Sequence, residues 1–86
     1  LHVAALNGHQ DVTEALIRAG IDIEAGEGSI GTALHLCSVR GHSSIMKLLL
    51  DHGANVNAYS NEHGPVINAA IKSGTVEAVN MILNGD

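Results

Sequence analysis

The stretch GTALHLCSVRGH, residues 31–42, brings together residue types that often do chemistry: two histidines and the only cysteine of the chain. His35 and His42 are candidate zinc ligands, and zinc ligands must converge on one ion at about 2.0 to 2.3 Å each. On a helix, these two histidines are seven residues and therefore about 10 Å apart. The spacing argues against a shared zinc ion, and no metal or other cofactor is expected.

Cys37 is a candidate nucleophile with His35 as its base. Nucleophilic catalysis needs a base within hydrogen-bond reach of the nucleophile and a third group that orients the base. Residues two apart on a helix point in different directions, and the sequence around Cys37 offers neither a glycine elbow nor an orienting acid. We therefore expect no catalytic residues and no enzymatic activity.

The amino-acid composition limits the kinds of molecule that the chain is expected to bind. Nine acidic and four basic residues give a formal net charge of −5, which opposes nucleic-acid binding because counterion release requires clustered cations. The basic residues are scattered, and no apolar run approaches the roughly 20 residues that span a bilayer, so no membrane association is expected. A single cysteine excludes an intrachain disulfide and suits a reducing compartment, the cytoplasm or the nucleus.

The chain repeats itself with a period of 33 residues. The repeated positions are Leu1, Leu34 and Ile67; Gly8, Gly41 and Gly74; Ala4, Cys37 and Ala70; Val12, Ile45 and Ala78; Leu16, Leu49 and Ile82; and Ile17, Leu50 and Leu83. A fixed period of this length is typical of solenoid proteins, whose units cover one another's apolar faces. Cys37 stands where the other units have alanine, which indicates a buried position for a small side chain.

Each period contains signals for two short helices and a turn. In the second unit, Thr32 is placed to cap a helix over residues 33–40, and Gly41 to end it in the left-handed conformation. A second helix, stopped by Gly53, carries its apolar residues on one face: Ile45, Met46, Leu49 and Leu50. Residues 54–64 are rich in Asn, Ser and Gly and predict an extended turn. Such a unit needs neighbours to cover its apolar face.

These features resemble the ankyrin repeat, whose 33-residue unit has a Thr-Pro-Leu-His-x-Ala signature, a β-turn and an antiparallel helix pair. The second unit supplies TALHLC and LLLDHGANVNA, the first LHVAA and ALIRAG, and the third PVINAA. The resemblance covers the whole chain and implies an all-α ankyrin solenoid with units at residues 1–27, 28–60 and 61–86. It also implies that the signature histidines, His2 and His35, tether their own turn to the next one by hydrogen bonds, a place that Asn68 takes in the third unit.

The sequence departs from the family signature at two places. Ala33 and Val66 replace the family's proline, and the turn glycine comes one place late, at Gly31 and Gly64. This Gly-x-Ala-Leu variant is similar to repeats of long ankyrin arrays in filamentous fungi, including arrays attached to NACHT-type NTPases. The resemblance therefore leaves two functions open: a free protein-binding module, or a structural spacer or regulatory segment within such an array.

The resemblance also implies where a partner binds, because ankyrin repeats commonly meet protein partners with their turn tips and the concave face of their first helices. Carried onto this sequence, the candidate residues are Leu6, Asn7, Gly28, Ser29, Ile30, Val39, Arg40, Asn61, Glu62, His63, Lys72 and Ser73. Ile30 is apolar within a polar turn tip, which indicates either an anchor for a partner or, as we prefer, packing against the adjacent turn.

Both outer units carry apolar residues where the terminal repeats of a complete solenoid have polar faces. These residues are Leu1, Val3, Val12 and Leu16 in the first unit and Val76, Val79, Met81, Ile82 and Leu83 in the last. We therefore expect a segment of a longer array that contacts adjacent ankyrin repeats of the parent chain. In isolation, such a segment is expected to be marginally stable or to associate end to end.

Overall fold

The computed structural model describes residues 1–26 and 30–84. Their helices are α1 (His2–Leu6), α2 (Gln10–Arg18), α3 (Ala33–Val39), α4 (Ser43–Asp51), α5 (Val66–Ser73) and α6 (Val76–Asn84). Two short strands, β1 (Tyr59–Ser60) and β2 (Gly64–Pro65), lie between α4 and α5. The two helices predicted in the second unit are confirmed as α3 and α4.

The helices form two layers of a stacked solenoid. In the inner layer, α3 packs against α1 on one side and α5 on the other, and in the outer layer α4 packs between α2 and α6 in the same way. Within each unit, the inner and outer helices also pack on each other. The expected stack of helix pairs is therefore confirmed, and the middle pair is covered on both sides.

The turn between α4 and α5 is a short antiparallel hairpin. Tyr59 pairs with Pro65, and Ser60 pairs with Gly64. The buried hydroxyl of Ser60 accepts a hydrogen bond from the backbone N–H of His63 at 2.9 Å, which stabilises the loop between the strands. The extended turn predicted over residues 54–64 thus contains strand pairing, and the fold is mostly helical with two short strands.

Gly8 and Gly41 are equivalent residues that follow helices of the inner layer, and both have left-handed backbones, with φ of +73° and +70°. Each also lies close to the next unit. A β-carbon on Gly8 would lie 3.1 Å from the ring of His42, and one on Gly41 would lie 2.6 Å from Oγ1 of Thr75. This repeated position therefore needs glycine for its backbone conformation and for the close approach of neighbouring units.

The hydrophobic core is concentrated in the middle of the stack. Its largest fully buried apolar side chains are Leu34, Ile45, Met46, Leu49 and Val66. The repeated column of Ala4, Cys37 and Ala70 is buried in all three units, as its small side chains predict. Small side chains at this column allow the inner helices to approach one another closely.

Leu49→Ala should lower the free energy of unfolding by about 2 to 5 kcal/mol, because it removes a fully buried branched side chain and leaves a cavity. Cys37→Ala should change it by less than about 1 kcal/mol, because alanine already occupies the equivalent positions of the other units. Urea unfolding followed by circular dichroism measures both. Equal losses for the two variants would contradict the assignment of Cys37 to a small-residue column.

Candidate partner-binding groove

His35 is a buried structural residue that joins two turns. Its Nδ1 accepts a hydrogen bond from the backbone N–H of Thr32 at 3.2 Å and lies 3.0 Å from the Thr32 hydroxyl. Because Nδ1 is an acceptor, the proton of the neutral ring is on Nε2, which donates to the carbonyl of Gly64 at 3.0 Å. His35 thus caps its own helix and holds the next turn, as the family resemblance implied.

Two further histidines tether neighbouring units. Nε2 of His2 donates to the carbonyl of Ala25 at 2.8 Å, so the bond to the next turn is confirmed in the first unit as well. Nε2 of His42 donates to the carbonyl of Leu6 at 3.0 Å, back toward the preceding unit. This role of His42 was not predicted from the sequence. The signal for it was Gly8, whose missing side chain leaves room for the His42 ring.

The third unit has other residues in place of Thr32 and His35, the two residues that cap α3. Pro65 stands at the position of Thr32, and Asn68 stands at the position of His35. Because proline has no backbone N–H, the third unit has no donor that corresponds to the N–H of Thr32. It therefore needs no acceptor in the place of Nδ1 of His35. The two replacements are therefore chemically consistent with each other, and the side chain of Asn68 is exposed.

Cys37 is fully buried and has the properties of a core residue. Its Sγ donates to the carbonyl of Leu34 at 3.4 Å, and burial raises the pKa of the thiol to about 12. The reactive form of cysteine is the thiolate, which this environment disfavours. His35 cannot act as its base, since both ring nitrogens of His35 have other partners. Within residues 1–26 and 30–84, no three His, Cys, Asp or Glu side chains are grouped to hold a metal ion.

Six of the predicted partner-binding residues meet in one concavity on the inner layer: Leu6, Ile30, Val39, Arg40, Glu62 and His63. His2, Val3 and Leu36 complete the lining of this inner groove and were not predicted. The groove runs from α1 across α3 to the turn before α5. Exposed aliphatic side chains in a concave surface with charged residues beside them are typical of a binding site.

Ile30 lines the inner groove and is only partly packed. It shares the groove with Glu62 and His63 of the next turn, yet it remains 52% exposed. The preferred packing against the adjacent turn therefore stays a prediction. More than half of this side chain is open to solvent and available as an anchor.

Four further predicted residues divide into two that the structure does not describe and two that it places outside the groove lining. Gly28 and Ser29 lie outside the residues that the structure describes. Asn7 and Asn61 are exposed but do not line the groove. Their assignment to a partner surface stays a prediction.

Lys72 and Ser73, the last two predicted residues, differ in their surroundings. Nζ of Lys72 lies 3.4 Å from Nδ1 of His63, which places this cation at the border of the groove. The hydroxyl of Ser73 donates to the carbonyl of Ala70 at 2.6 Å and accepts from the backbone N–H of Thr75 at 3.1 Å. Ser73 therefore shapes the end of α5, while Lys72 contributes charge near the groove.

His35→Ala should lower the free energy of unfolding by about 1 to 3 kcal/mol, because it leaves buried hydrogen-bonding groups of two turns without their partner. His42→Ala should cost about 0.5 to 1.5 kcal/mol through the loss of its bond to Leu6. His9 is the matched control: it aligns with His42 but is exposed, so His9→Ala should change stability by less than about 0.5 kcal/mol. Urea unfolding measures all three, and equal losses would show that the tethers contribute nothing.

Cys37 should react with iodoacetamide far more slowly in the folded protein than in concentrated urea, because the buried thiol resists ionisation. Since folding raises the pKa of this thiol from 9.0 to about 12, the unfolded state loses its proton first as the pH rises above 9. The free energy of unfolding should therefore fall between about pH 9 and pH 12, and less steeply in Cys37→Ala. Mass spectrometry and urea unfolding test the two expectations; equal labelling rates in folded and unfolded protein would overturn the first.

Comparison with known proteins agrees with this architecture. None of the helices in the described ranges has the length and apolar character needed to cross a bilayer. No match was found among curated proteins. A family model described as ankyrin repeats, in three copies, matches residues 1–86, and such repeats are generally non-enzymatic protein-protein interaction modules. Because the match extends over the full length of the sequence, the chain belongs to the ankyrin repeat family.

Proposed function

We propose that this chain is a non-enzymatic module that binds a protein partner through the inner groove. The observation that carries the proposal is the set of aliphatic side chains in its lining: Val3, Leu6, Ile30, Leu36 and Val39. Val3 and Ile30 are 71% and 52% exposed. Covering apolar surface is favourable by about 25 cal/mol per Å², so a partner that fills the groove gains from its burial.

The residues whose types could be catalytic have structural contacts instead, which supports a binding role for the chain. Cys37 is buried, and His35 and His42 use ring nitrogens to hold backbone carbonyls. The net charge of −5 favours a protein over a nucleic acid as the partner. The single cysteine, which has no intrachain partner, favours a reducing compartment such as the cytoplasm or the nucleus.

A separate observation favours a second function, that of a structural or regulatory segment in a longer array. Ile71, Val76 and Leu83 are exposed apolar side chains on α5 and α6. A neighbouring repeat would cover them in the way that α5 and α6 cover the middle unit. In that case the proposed units at residues 1–27, 28–60 and 61–86 stack with others, and no free partner occupies the groove.

Ile30→Asp should weaken binding of groove-directed peptides by about tenfold or more, because a charged side chain replaces an apolar anchor. The ligands come from a phage-displayed library of random peptides selected on the immobilised chain. Ile21→Asp is the matched control, since Ile21 is 42% exposed but does not line the groove. Fluorescence anisotropy of labelled peptides gives the affinities, and circular dichroism checks that both variants are folded.

Amide chemical shifts locate the bound peptide independently of the variants. Binding to the groove should perturb the amides of Leu6, Ile30 and Val39 and leave those of α4 in the outer layer unchanged. Peptides that bind the two isoleucine variants equally, or that perturb only the outer layer, would contradict the proposal. Failure to select any peptide would favour the structural or regulatory segment.

A further inference from the structure

The basic residues of the chain differ in their surroundings according to their layer. In the outer layer, Arg18 pairs with Glu14 at 3.0 Å and Lys47 pairs with Asp51 at 3.6 Å, each one helical turn apart. Arg40 and Lys72 belong to the inner layer, at the end of α3 and within α5. Within the described part of the chain, neither of these two has a carboxylate within 4.0 Å.

The inner helices themselves provide no partner for these cations. The sequences of α1, α3 and α5 contain no aspartate or glutamate. The carboxylate that lines the groove is Glu62, whose Oε2 lies 3.9 Å from Nε2 of His63. Among the described residues, the charges of Arg40 and Glu62 in the lining cancel formally, and Lys72 at the border makes the sum positive, although the chain as a whole carries −5.

Arg40 is placed to act together with the apolar lining. It directly follows Val39 in the sequence, and both residues line the groove. Its side chain is exposed, so its guanidinium is accessible to a ligand. Arginine binds carboxylates through two parallel N–H···O bonds, and such pairs are stronger than neutral hydrogen bonds.

We infer that the partner of the inner groove is a peptide segment in which an aliphatic residue stands within one or two positions of an aspartate or glutamate. The aliphatic side chain contacts Leu6, Ile30 and Val39, and the carboxylate pairs with Arg40. Lys72 adds attraction for the same charge at longer range. This inference rests on the proposed function, since it specifies the chemistry of the partner that the groove accepts.

The test is a charge reversal at Arg40 with the same library of random peptides. The unmodified chain should enrich peptides with Asp or Glu beside Leu, Ile or Val, whereas Arg40→Glu should enrich Lys or Arg at that place. A peptide selected on the unmodified chain should bind Arg40→Glu about tenfold more weakly. The loss should shrink at high salt, because added ions screen exposed charges.

Arg18→Glu is the matched control for this reversal. Arg18 is an exposed arginine in the last turn of α2, so its replacement changes net charge and helix-end electrostatics as Arg40→Glu does. It lies in the outer layer, and Arg18→Glu should therefore keep the peptide preference and affinity of the unmodified chain. Equal losses in both variants would assign the effect to net charge and overturn the inference.

The remaining outcomes separate the inference from the proposed function. Peptides that lose binding in Ile30→Asp but show no acidic preference, or that bind Arg40→Glu unchanged, overturn the inference and leave the groove as the binding site. A library that gives no groove-directed peptide overturns both. A switch from acidic to basic peptides in Arg40→Glu alone supports both.

Discussion

The structure depends on one constraint: no unit of this chain covers its own apolar face. The middle helices α3 and α4 have only seven and nine residues, and helices this short are marginal in water without tertiary packing. Ile45 and Leu49 are fully buried because units stand on both sides, whereas Val12 and Leu83 of the outer units are exposed. The helices therefore need the stacking in order to be stable, and their apolar pattern is what produces it.

Apolar packing is not directional, so the hydrogen bonds of the histidines fix how the units sit against one another. From the middle unit, His35 holds the Gly64 carbonyl of the next turn, and His42 holds the Leu6 carbonyl of the preceding unit. The inner groove is lined by side chains from three successive units. These tethers therefore fix the relative positions of the units whose side chains line the groove.

What the sequence could predict was limited to features that repeat or that belong to the family signature. The helices and the burial of Cys37 were predictable because each position can be compared across three aligned units. The role of His42 was missed, because its acceptor is a backbone carbonyl, and its mark in the sequence is indirect, the glycine at position 8. The strands β1 and β2 were missed because two residues are too short for an alternating pattern. The exposure of Ile30 depends on where the next turn lies, which only the stacked structure gives.

The two layers differ in how their charged residues are paired, and this difference follows from the same stacking. Outer helices expose enough of their surface for ion pairs one turn apart, such as Glu14 with Arg18. Equivalent positions of stacked helices are only about 8 to 10 Å apart, so like charges repeated down an inner column would repel. The chain avoids this repulsion, because Arg40 aligns with Asn7 and Ser73, which are neutral. The same arrangement leaves Arg40 without an opposite charge above or below it in its column. A carboxylate for this guanidinium must therefore come from outside the column.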